Sequence, residues 1–313
     1  MFLDCHSRKS TVTKHISSSH FQSNNVQCAA TLHLPDGSGP FPAILMVHGW
    51  GGVQDALTLP FYAPFNQAGF AVMTFDYPGW GKSEGTPRNV INPWHRERDV
   101  ENALEHLRGQ PQVDARRIAL WGTSFGGGHV VQTAARHPEL LGAIAQVPML
   151  DGMAAVKAVP PMRMARFGLS ALADLLPGRK DTVYLPVVAA PGEWSSMDRD
   201  GAAAAMQKGL EALIERGGPE AGHYDNRVAA RSLLTMGLYR PFKSLKNVSI
   251  PLLIVGATRD SVAPFVEAKI RALNNPQIKL ETLDANHFDP YFEPALSQNL
   301  GYQLAFLKGL RNP

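Results

Sequence analysis

The sequence predicts an α/β protein in which a mostly parallel, twisted sheet is flanked by helices and carries a helical cap insertion. The first observation is that near-continuous apolar runs alternate along the chain with helix-forming stretches. Such runs are typical of strands buried on both faces, as they are in a parallel sheet. The second observation is that this alternation stops over residues 151–245 and resumes at Pro251.

Each predicted strand contains a short run of apolar residues. In chain order they cover 28–35, 43–49, 70–79, 117–124, 142–149, 251–260 and 278–283. Helices are predicted between them at 93–109, where the apolar residues fall on one face, and at 125–138, which glycines open and a proline closes. Strands that alternate with helices in this way predict a parallel sheet covered on both faces.

The segment 151–245 contains no clean strand run. Helices are predicted there at 163–176, 201–216 and 226–239, separated by prolines and other turn residues. The sequence therefore predicts a core formed by 1–150 and 246–313, with 151–245 inserted between two sheet strands as a helical cap.

The composition is that of a soluble globular protein, with 44% apolar and 18% charged residues among 313. The 30 basic residues are scattered and nearly balanced by 27 acidic ones, which argues against nucleic acid as a partner. Two cysteines, Cys5 and Cys28, are too few for a disulfide framework or a structural zinc site. No apolar window reaches the roughly 18 residues of a membrane span, and no signal-peptide core is present. We therefore expect a cytoplasmic protein with no membrane partner.

The stretch WGTSFGGG at 121–128 places Ser124 between Gly122 and Gly126. A serine among glycines is also compatible with a flexible turn. The apolar strand before it and the helix after it indicate instead a nucleophile elbow, whose sharp turn tolerates only small neighbours. Because a helix N-terminus favours developing negative charge, the Phe125 N–H is the predicted first donor of an oxyanion hole.

A serine hydroxyl needs an adjacent base, and His287 is the predicted one. It lies on a loop after the last predicted strand, at the edge where open α/β sheets build their sites. The other histidines considered for this role are His48, His129, His137 and His223.

Asp260 is the predicted acid that orients the base. It ends the apolar run PLLIVGATRD, also at the carboxyl end of a strand. A helix cap is the alternative role for Asp260. Asp284 and Asp289 flank His287 and are weaker candidates, because a sequence neighbour rarely reaches the far ring nitrogen.

Two glycine-rich loops follow early strands. In HGWGG (48–52), glycines let the backbone approach a substrate oxygen, and the Trp50 N–H is the predicted second oxyanion donor. The alternative for this loop is a flexible turn. In DYPGWGKSEG (76–85), Asp76 is predicted to hold loop backbone N–H groups rather than to act as the catalytic acid. Lys82 lacks the spacing of a phosphate-binding loop.

Five motifs, in this order, resemble those of the α/β-hydrolase superfamily: HGWGG, DYPGWGKSEG, GTSFGG, GATRDSVAP and ANHFDPY. The chain order Ser124, Asp260, His287 is the order of a triad in that superfamily. Longer segments, such as NRVAARSLLTMGLYRP, resemble a bacterial branch related to dienelactone-hydrolase-like esterases and polyketide transferases. The resemblance implies a Ser-Asp-His acyl-transfer enzyme without a cofactor. The sequence contains no apparent set of zinc ligands, which argues against metal-dependent hydrolysis. Ser124 stands where dienelactone hydrolases carry cysteine.

The leading hypothesis is a serine carboxylesterase-like hydrolase that cleaves an ester, thioester or lactone of a small-molecule acyl substrate through an acyl-enzyme on Ser124. The alternatives are acyl transfer to an alcohol or amine, perhydrolysis, and a non-catalytic binding protein on the same scaffold. Because small-ligand pockets are mostly apolar, we expect a medium-sized acyl or aryl group. The predicted lining residues are Met149, Leu150, Trp194 and Met236, and an apolar cap surface is compatible with a homodimer.

Overall fold

A mixed sheet forms the centre of the protein in a computed structural model, which describes residues 16–54, 56, 58–215 and 224–311. The strands are β1 (Ile16–Ser23), β2 (Val26–His33), β3 (Phe41–Val47), β4 (Ala71–Phe75), β5 (Val113–Thr123), β6 (Gly142–Gln146), β7 (Tyr184–Pro186), β8 (Arg227–Ala229), β9 (Leu252–Ala257) and β10 (Ile278–Leu283). Eight of them form one sheet in the order β1-β2-β4-β3-β5-β6-β9-β10. Pairing is antiparallel at β1–β2 and β2–β4 and parallel at the other pairs, so the predicted mostly parallel sheet is confirmed.

The α-helices are α1 (Leu59–Gln67), α2 (Pro93–Arg108), α3 (Phe125–Ala134), α4 (Gly152–Lys157), α5 (Pro161–Asp174), α6 (Ala202–Glu215), α7 (Glu267–Arg271) and α8 (Ala295–Arg311). Among the described residues, 3-10 helices cover Ala230–Leu238, Pro241–Asn247 and Asp289–Tyr291. Within the described ranges, no helix has both the length and the apolar character that crossing a bilayer requires.

Helices cover both faces of the sheet. On one face, Leu104 of α2 and Val130 of α3 belong to the apolar layer. On the other face, Phe65 of α1 and Leu307 of α8 do so. Every residue of β4, β6 and β9 is buried, as the near-continuous apolar runs predict. With both faces covered, the carboxyl edge of the parallel strands is the place where loops can build a site.

In its described part, the chain between β6 and β9 contains α4, α5, α6, a small two-stranded sheet of β7 and β8, and the 3-10 helices Ala230–Leu238 and Pro241–Asn247. The exact division at 151 and 245 stays a prediction. The helix predicted at 226–239 is wrong, because β8 and a 3-10 helix occupy it. The backbone N–H groups of Ala229 and Ala230 donate to Asn89 O (2.9 Å) and Val183 O (2.8 Å). Partners outside the segment thus override its local helical preference.

Two further differences have simple physical causes. The edge strand β1 is absent from the predicted set because its sequence, ISSSHFQS, is mostly polar and largely exposed. The strand predicted at 70–79 ends at Phe75, because the chain turns there into a loop in which Gly79 has φ 79°. Hydrophobic periodicity indicates which residues are buried. It therefore misses an exposed edge strand, and it cannot distinguish a buried loop from the strand before it.

Candidate active site

Ser124 occupies a strained turn between β5 and α3. Its φ is 55° and its ψ is −122°, a left-handed conformation that side-chain-bearing residues rarely adopt. Two backbone hydrogen bonds hold it there: Ser124 N donates to Gln146 O (2.9 Å), and Met149 N donates to Ser124 O (2.8 Å). The end of β6 therefore fixes the turn that presents the hydroxyl.

The glycines around Ser124 provide steric clearance. A Cβ on Gly122 would lie 2.6 Å from both Gly126 O and Val130 Cγ2. A Cβ on Gly126 would lie 2.5 Å from His48 O and would also collide with Val47 O. The turn is thus pressed against β3 and against its own helix, and these glycines serve close packing.

Replacing Gly126 with alanine is expected to lower the free energy of unfolding by about 3 kcal/mol, because overpacking against backbone cannot be relieved by a side-chain rotation. Chemical denaturation measures the change. The matched control is Gly309→Ala on α8, where an added Cβ meets nothing within 4 Å. That control should be neutral or should stabilise by up to about 1 kcal/mol. Equal denaturation midpoints for the wild type and Gly126→Ala would contradict the close-packing account.

Ser124, His287 and Asp260 form one hydrogen-bonded chain. The distance from Ser124 Oγ to His287 Nε2 is 2.9 Å, and that from His287 Nδ1 to Asp260 Oδ2 is 2.6 Å. The imidazole and carboxylate side chains are only 3% and 1% exposed. This is the arrangement in which a histidine can accept a serine proton while an acid fixes its tautomer.

Asp260 also holds its own loop. Its other oxygen, Oδ1, accepts from Val262 N at 2.9 Å and from Ala263 N at 2.7 Å. The helix that follows begins only at Glu267, so these bonds close a turn and are not a helix cap. Both carboxylate oxygens therefore have partners, and this fixes the oxygen that faces His287.

The other histidines considered have different partners. His48 is buried with Nδ1 3.3 Å from Gly49 O, and burial, together with the Arg96 charge, lowers its pKa to about 3. His129 lies 2.8 Å from the Tyr239 hydroxyl, and burial keeps its pKa well below the usual value. His137 contacts Glu101 and Glu139 near the surface. His223 lies outside the described residues.

The weaker acid candidates are engaged elsewhere. Asp284 forms an ion pair with Arg259 and accepts from the Thr258 hydroxyl. Asp289 Oδ2 accepts from Asn286 N at 2.8 Å. Asp284 and Asp289 therefore stabilise the loop around His287. The carboxylate that is hydrogen-bonded to the His287 ring is that of Asp260.

The loop after β3 lies directly against the serine. A Cβ on Gly49 would be 3.1 Å from Ser124 Cβ. The Trp50 and Phe125 rings meet edge to face at 5.4 Å, and Trp50 Nε1 donates to Ser196 Oγ at 3.0 Å. The Phe125 N–H is the first of α3, so helical geometry gives it no intrahelical acceptor. Trp50 and Phe125 thus lie side by side next to the serine, and the role of their backbone N–H groups as oxyanion donors stays a prediction.

The sequence matches the alpha/beta hydrolase family over residues 44–296. The chain belongs to the α/β-hydrolase family. The quorum-quenching protein AidA of Acinetobacter baumannii is 32% identical over 291 residues, which cover 92% of this hydrolase and 93% of AidA. The resemblance inferred from the five motifs is thereby confirmed.

Solved structures share the fold of this hydrolase. The α/β hydrolase GrgF from Penicillium sp. superposes with a TM-score of 0.71 at 24% identity, covering 94% of this chain and 98% of GrgF. DcsB, solved in complex with its substrate analogue, superposes with a TM-score of 0.74 at 22% identity, covering 95% and 100%. A Penicillium relative named polyketide transferase grgF is 30% identical over 147 residues, 47% of this chain and 49% of the relative.

Two buried charged side chains hold the loops beside Ser124, including the loop after β3 that carries Trp50. Asp76 accepts from Gln54 N (2.8 Å) and from Lys82 N (2.9 Å), which confirms its predicted role as a holder of loop backbone. Arg96, which the sequence reasoning missed, is 2% exposed and donates from Nη1 to Gly49 O at 3.3 Å. Its guanidinium lies 4.1 Å from the centre of the Tyr77 ring.

The signal for Arg96 is present in the sequence. It lies four residues before Val100 and eight before Leu104, on the apolar face of α2. A charged residue on such a face must find partners inside the protein, since an unpaired buried charge is costly. Burial lowers the pKa of Arg96 to about 10, so the guanidinium stays charged near neutral pH.

Replacing Arg96 with methionine is expected to lower kcat roughly tenfold with little change in KM, because a loop displaced by a fraction of an ångström no longer aligns its donor. The rate should be expressed per active site, titrated with a fluorophosphonate. An unchanged kcat per titrated site, with less folded protein, would show that Arg96 stabilises the fold without positioning the loop.

Two pockets open onto Ser124 in this hydrolase. The smaller, of about 520 Å³, is lined by His287, Val53, Thr58, Val188, Met206 and Tyr291, among others. The larger, of about 850 Å³, is lined by Phe125, Met149, Val159, Met164, Phe167 and Met236, among others. Trp50 and Met197 line both and so lie between them. A ligand bound at Ser124 can thus extend into both pockets.

Of the predicted lining residues, Met149 and Met236 line the larger pocket, whereas Leu150 and Trp194 line neither. Leu150 is buried core, and its carbonyl accepts from Phe242 N at 2.9 Å. Trp194 contacts Phe167, which lines the larger pocket, at 5.0 Å between ring centres. In the described part of the chain, no cluster of three or more His, Cys, Asp or Glu is placed to hold a metal ion.

Proposed function

We propose that this hydrolase cleaves a carboxylic ester, thioester or lactone through an acyl-enzyme on Ser124. The observation that carries the proposal is the hydrogen-bonded chain from Ser124 through His287 to Asp260, which opens onto two mostly apolar pockets. The general requirement for such chemistry is a serine paired with a base that a third group orients.

In the first half-reaction, His287 Nε2 accepts the hydroxyl proton as Ser124 Oγ attacks the acyl carbon. Asp260 accepts a hydrogen bond from His287 Nδ1 and stabilises the imidazolium. The Trp50 and Phe125 N–H groups donate to the oxyanion of the tetrahedral intermediate, and each such donor is worth roughly 2.7–4 kcal/mol. His287 then protonates the leaving group, and the acyl group stays on Ser124.

In the second half-reaction, water replaces the leaving group. His287 takes a proton from the water, the resulting hydroxyl attacks the acyl carbon, and the proton passes to Ser124 Oγ as the carboxylic acid departs. Since His287 lines the smaller pocket, that pocket suits the leaving group and the incoming water. The larger pocket, which Phe125 and other apolar side chains line, suits the acyl group.

The identity of the acyl group is tested with a panel of p-nitrophenyl esters from acetate to dodecanoate, with a thioester and a γ-lactone alongside. Because apolar side chains dominate the larger pocket, we expect kcat/KM to peak at medium acyl length. Absence of turnover across the whole panel by folded protein would overturn the proposal.

Acyl transfer is the second candidate, and the paired pockets favour it. A pocket on each side of Ser124 leaves room for an acceptor alcohol or amine while the acyl group stays in place. The relative GrgF is named a polyketide transferase. Product analysis of an ester reaction with competing alcohols separates the two: new ester indicates transfer, and free acid alone indicates hydrolysis.

A further inference from the structure

The outward face of cap helix α5 carries large apolar side chains. The apolar cap face is defined here by seven residues, each between 44 and 82% exposed: Met162, Leu169, Leu172, Leu175, Leu176, Leu234 and Leu238. The first five belong to α5 and its C-terminal end, and the last two to the 3-10 helix Ala230–Leu238 that packs beside it. Soluble monomers rarely leave so contiguous an apolar surface uncovered.

The spacing along α5 is that of a helix–helix seam. Exposed apolar positions within α5 fall at 162, 165, 169 and 172, separated by three, four and three residues, and exposed Leu175 and Leu176 follow its C-terminal end. This 3-4 alternation is the pattern by which one helix packs lengthwise against another. Inner residues of the same helix, such as Phe167 and Ala171, are buried in the protein. Helix α5 therefore has two apolar faces, of which one lacks a partner among the described residues.

The charged side chains of α5 are engaged within the same chain. Arg163 forms an ion pair with Asp198 at 2.5 Å, and the Arg166 guanidinium lies 3.9 Å from the centre of the Trp194 ring. Asp174 forms an ion pair with Arg231 at 2.7 Å. A helix that binds a membrane surface directs lysines and arginines toward lipid headgroups, whereas Arg163 and Arg166 of α5 contact Asp198 and Trp194. Its outer face suits an apolar protein surface.

We propose that the apolar cap face binds a second copy of this chain in a two-fold dimer, with the two α5 helices antiparallel and crossing near Leu169. In a two-fold interface the same patch contacts itself, and a seam centred on one helix meets that condition. A standard interface buries about 800 Å² per partner, of which about 60% is apolar. Seven exposed large side chains supply an apolar patch on the order of that size.

The dimer would also stabilise the acyl pocket. Met164 and Phe167, on the inner face of α5, and Leu233 and Met236, on the neighbouring 3-10 helix, line the larger pocket. One layer of helices thus separates the proposed interface from the pocket, and a partner packed on α5 limits its motion. The oligomeric state is measured without reference to catalysis, so this proposal and the proposed function can fail independently.

The test is sedimentation velocity at 1–50 µM protein. Wild-type protein is expected to be dimeric. Leu169→Glu and Leu169→Lys should each be monomeric, because like charges would face each other across the two-fold axis. The matched control is Trp94→Glu, an exposed apolar residue on α2 of the core, which should stay dimeric.

Mixing the two monomeric variants tests the two-fold arrangement most specifically. Equal amounts of Leu169→Glu and Leu169→Lys should form a heterodimer, since opposite charges then meet at the axis, and this outcome also shows that both variants are folded. Monomeric wild-type protein, or a mixture that stays monomeric, would overturn the proposal. So would a monomer that floats with vesicles of phosphatidylcholine and phosphatidylglycerol, because a membrane would then cover the face.

Discussion

Replacing Ser124 with alanine is expected to lower kcat for a short p-nitrophenyl ester by roughly 10⁶-fold, the scale found when a serine nucleophile is removed from a triad. Alanine keeps the Cβ and the backbone hydrogen bonds to Gln146 and Met149, so the fold should be retained. Turnover is measured by p-nitrophenol release, and folding by thermal unfolding.

The control for this variant is Ser297→Ala on the surface of α8, where the hydroxyl donates to Glu293 and the residue lines neither pocket. That variant should keep wild-type kcat and KM. Substantial ester turnover by folded Ser124→Ala protein would remove Ser124 from the mechanism and would indicate another nucleophile.

Replacing Asp260 with asparagine is expected to lower kcat about 10⁴-fold with a smaller change in KM. The amide is nearly the same size and can still accept from Val262 N and Ala263 N, so the loop should hold. However, an amide NH₂ facing His287 Nδ1 favours the tautomer that carries its proton on Nε2. That nitrogen then cannot accept the Ser124 proton. Steady-state kinetics on a short ester measures the loss.

The matched control is Asp284→Asn, in the exposed carboxylate that contacts Arg259 beside the same histidine loop. Its activity should stay within a few-fold of wild type. If Asp284→Asn lost as much activity as Asp260→Asn, the loss would report disturbance of the loop and not the tautomer of His287.

The three residues of the candidate triad could be located from sequence because each follows a strand. Ser124 follows β5, Asp260 follows β9 and His287 follows β10. The order of the sheet places β9 and β10 side by side, one strand away from β5. Since parallel strands end at one edge, residues 27 and 163 positions apart meet within hydrogen-bonding distance.

The residues that line the pockets, and those that hold the surrounding loops, are harder to predict from sequence because their positions depend on packing between distant segments. Trp194 is apolar and lies in the segment between β6 and β9, yet it contacts the lining residue Phe167 and does not line either pocket itself. Arg96 looks like one of several charged residues in α2, and its contact with Gly49 spans 47 positions. The segment 226–239 reads as helix locally, but Asn89 and Val183 set its backbone. The helical periodicity of α2 indicates that Arg96 is buried, but no pattern in the chain indicates the distant partners that these residues contact.

The central claim is that Ser124 is the nucleophile, and covalent labelling tests it most directly. The protein is treated with a fluorophosphonate, digested and examined by mass spectrometry, with Ser124→Ala protein alongside. We predict one phosphonylated site, Ser124, formed in parallel with the loss of esterase activity and absent from the variant. An unlabelled Ser124 in protein that still hydrolyses ester, or a label on another residue that removes activity, would contradict the claim.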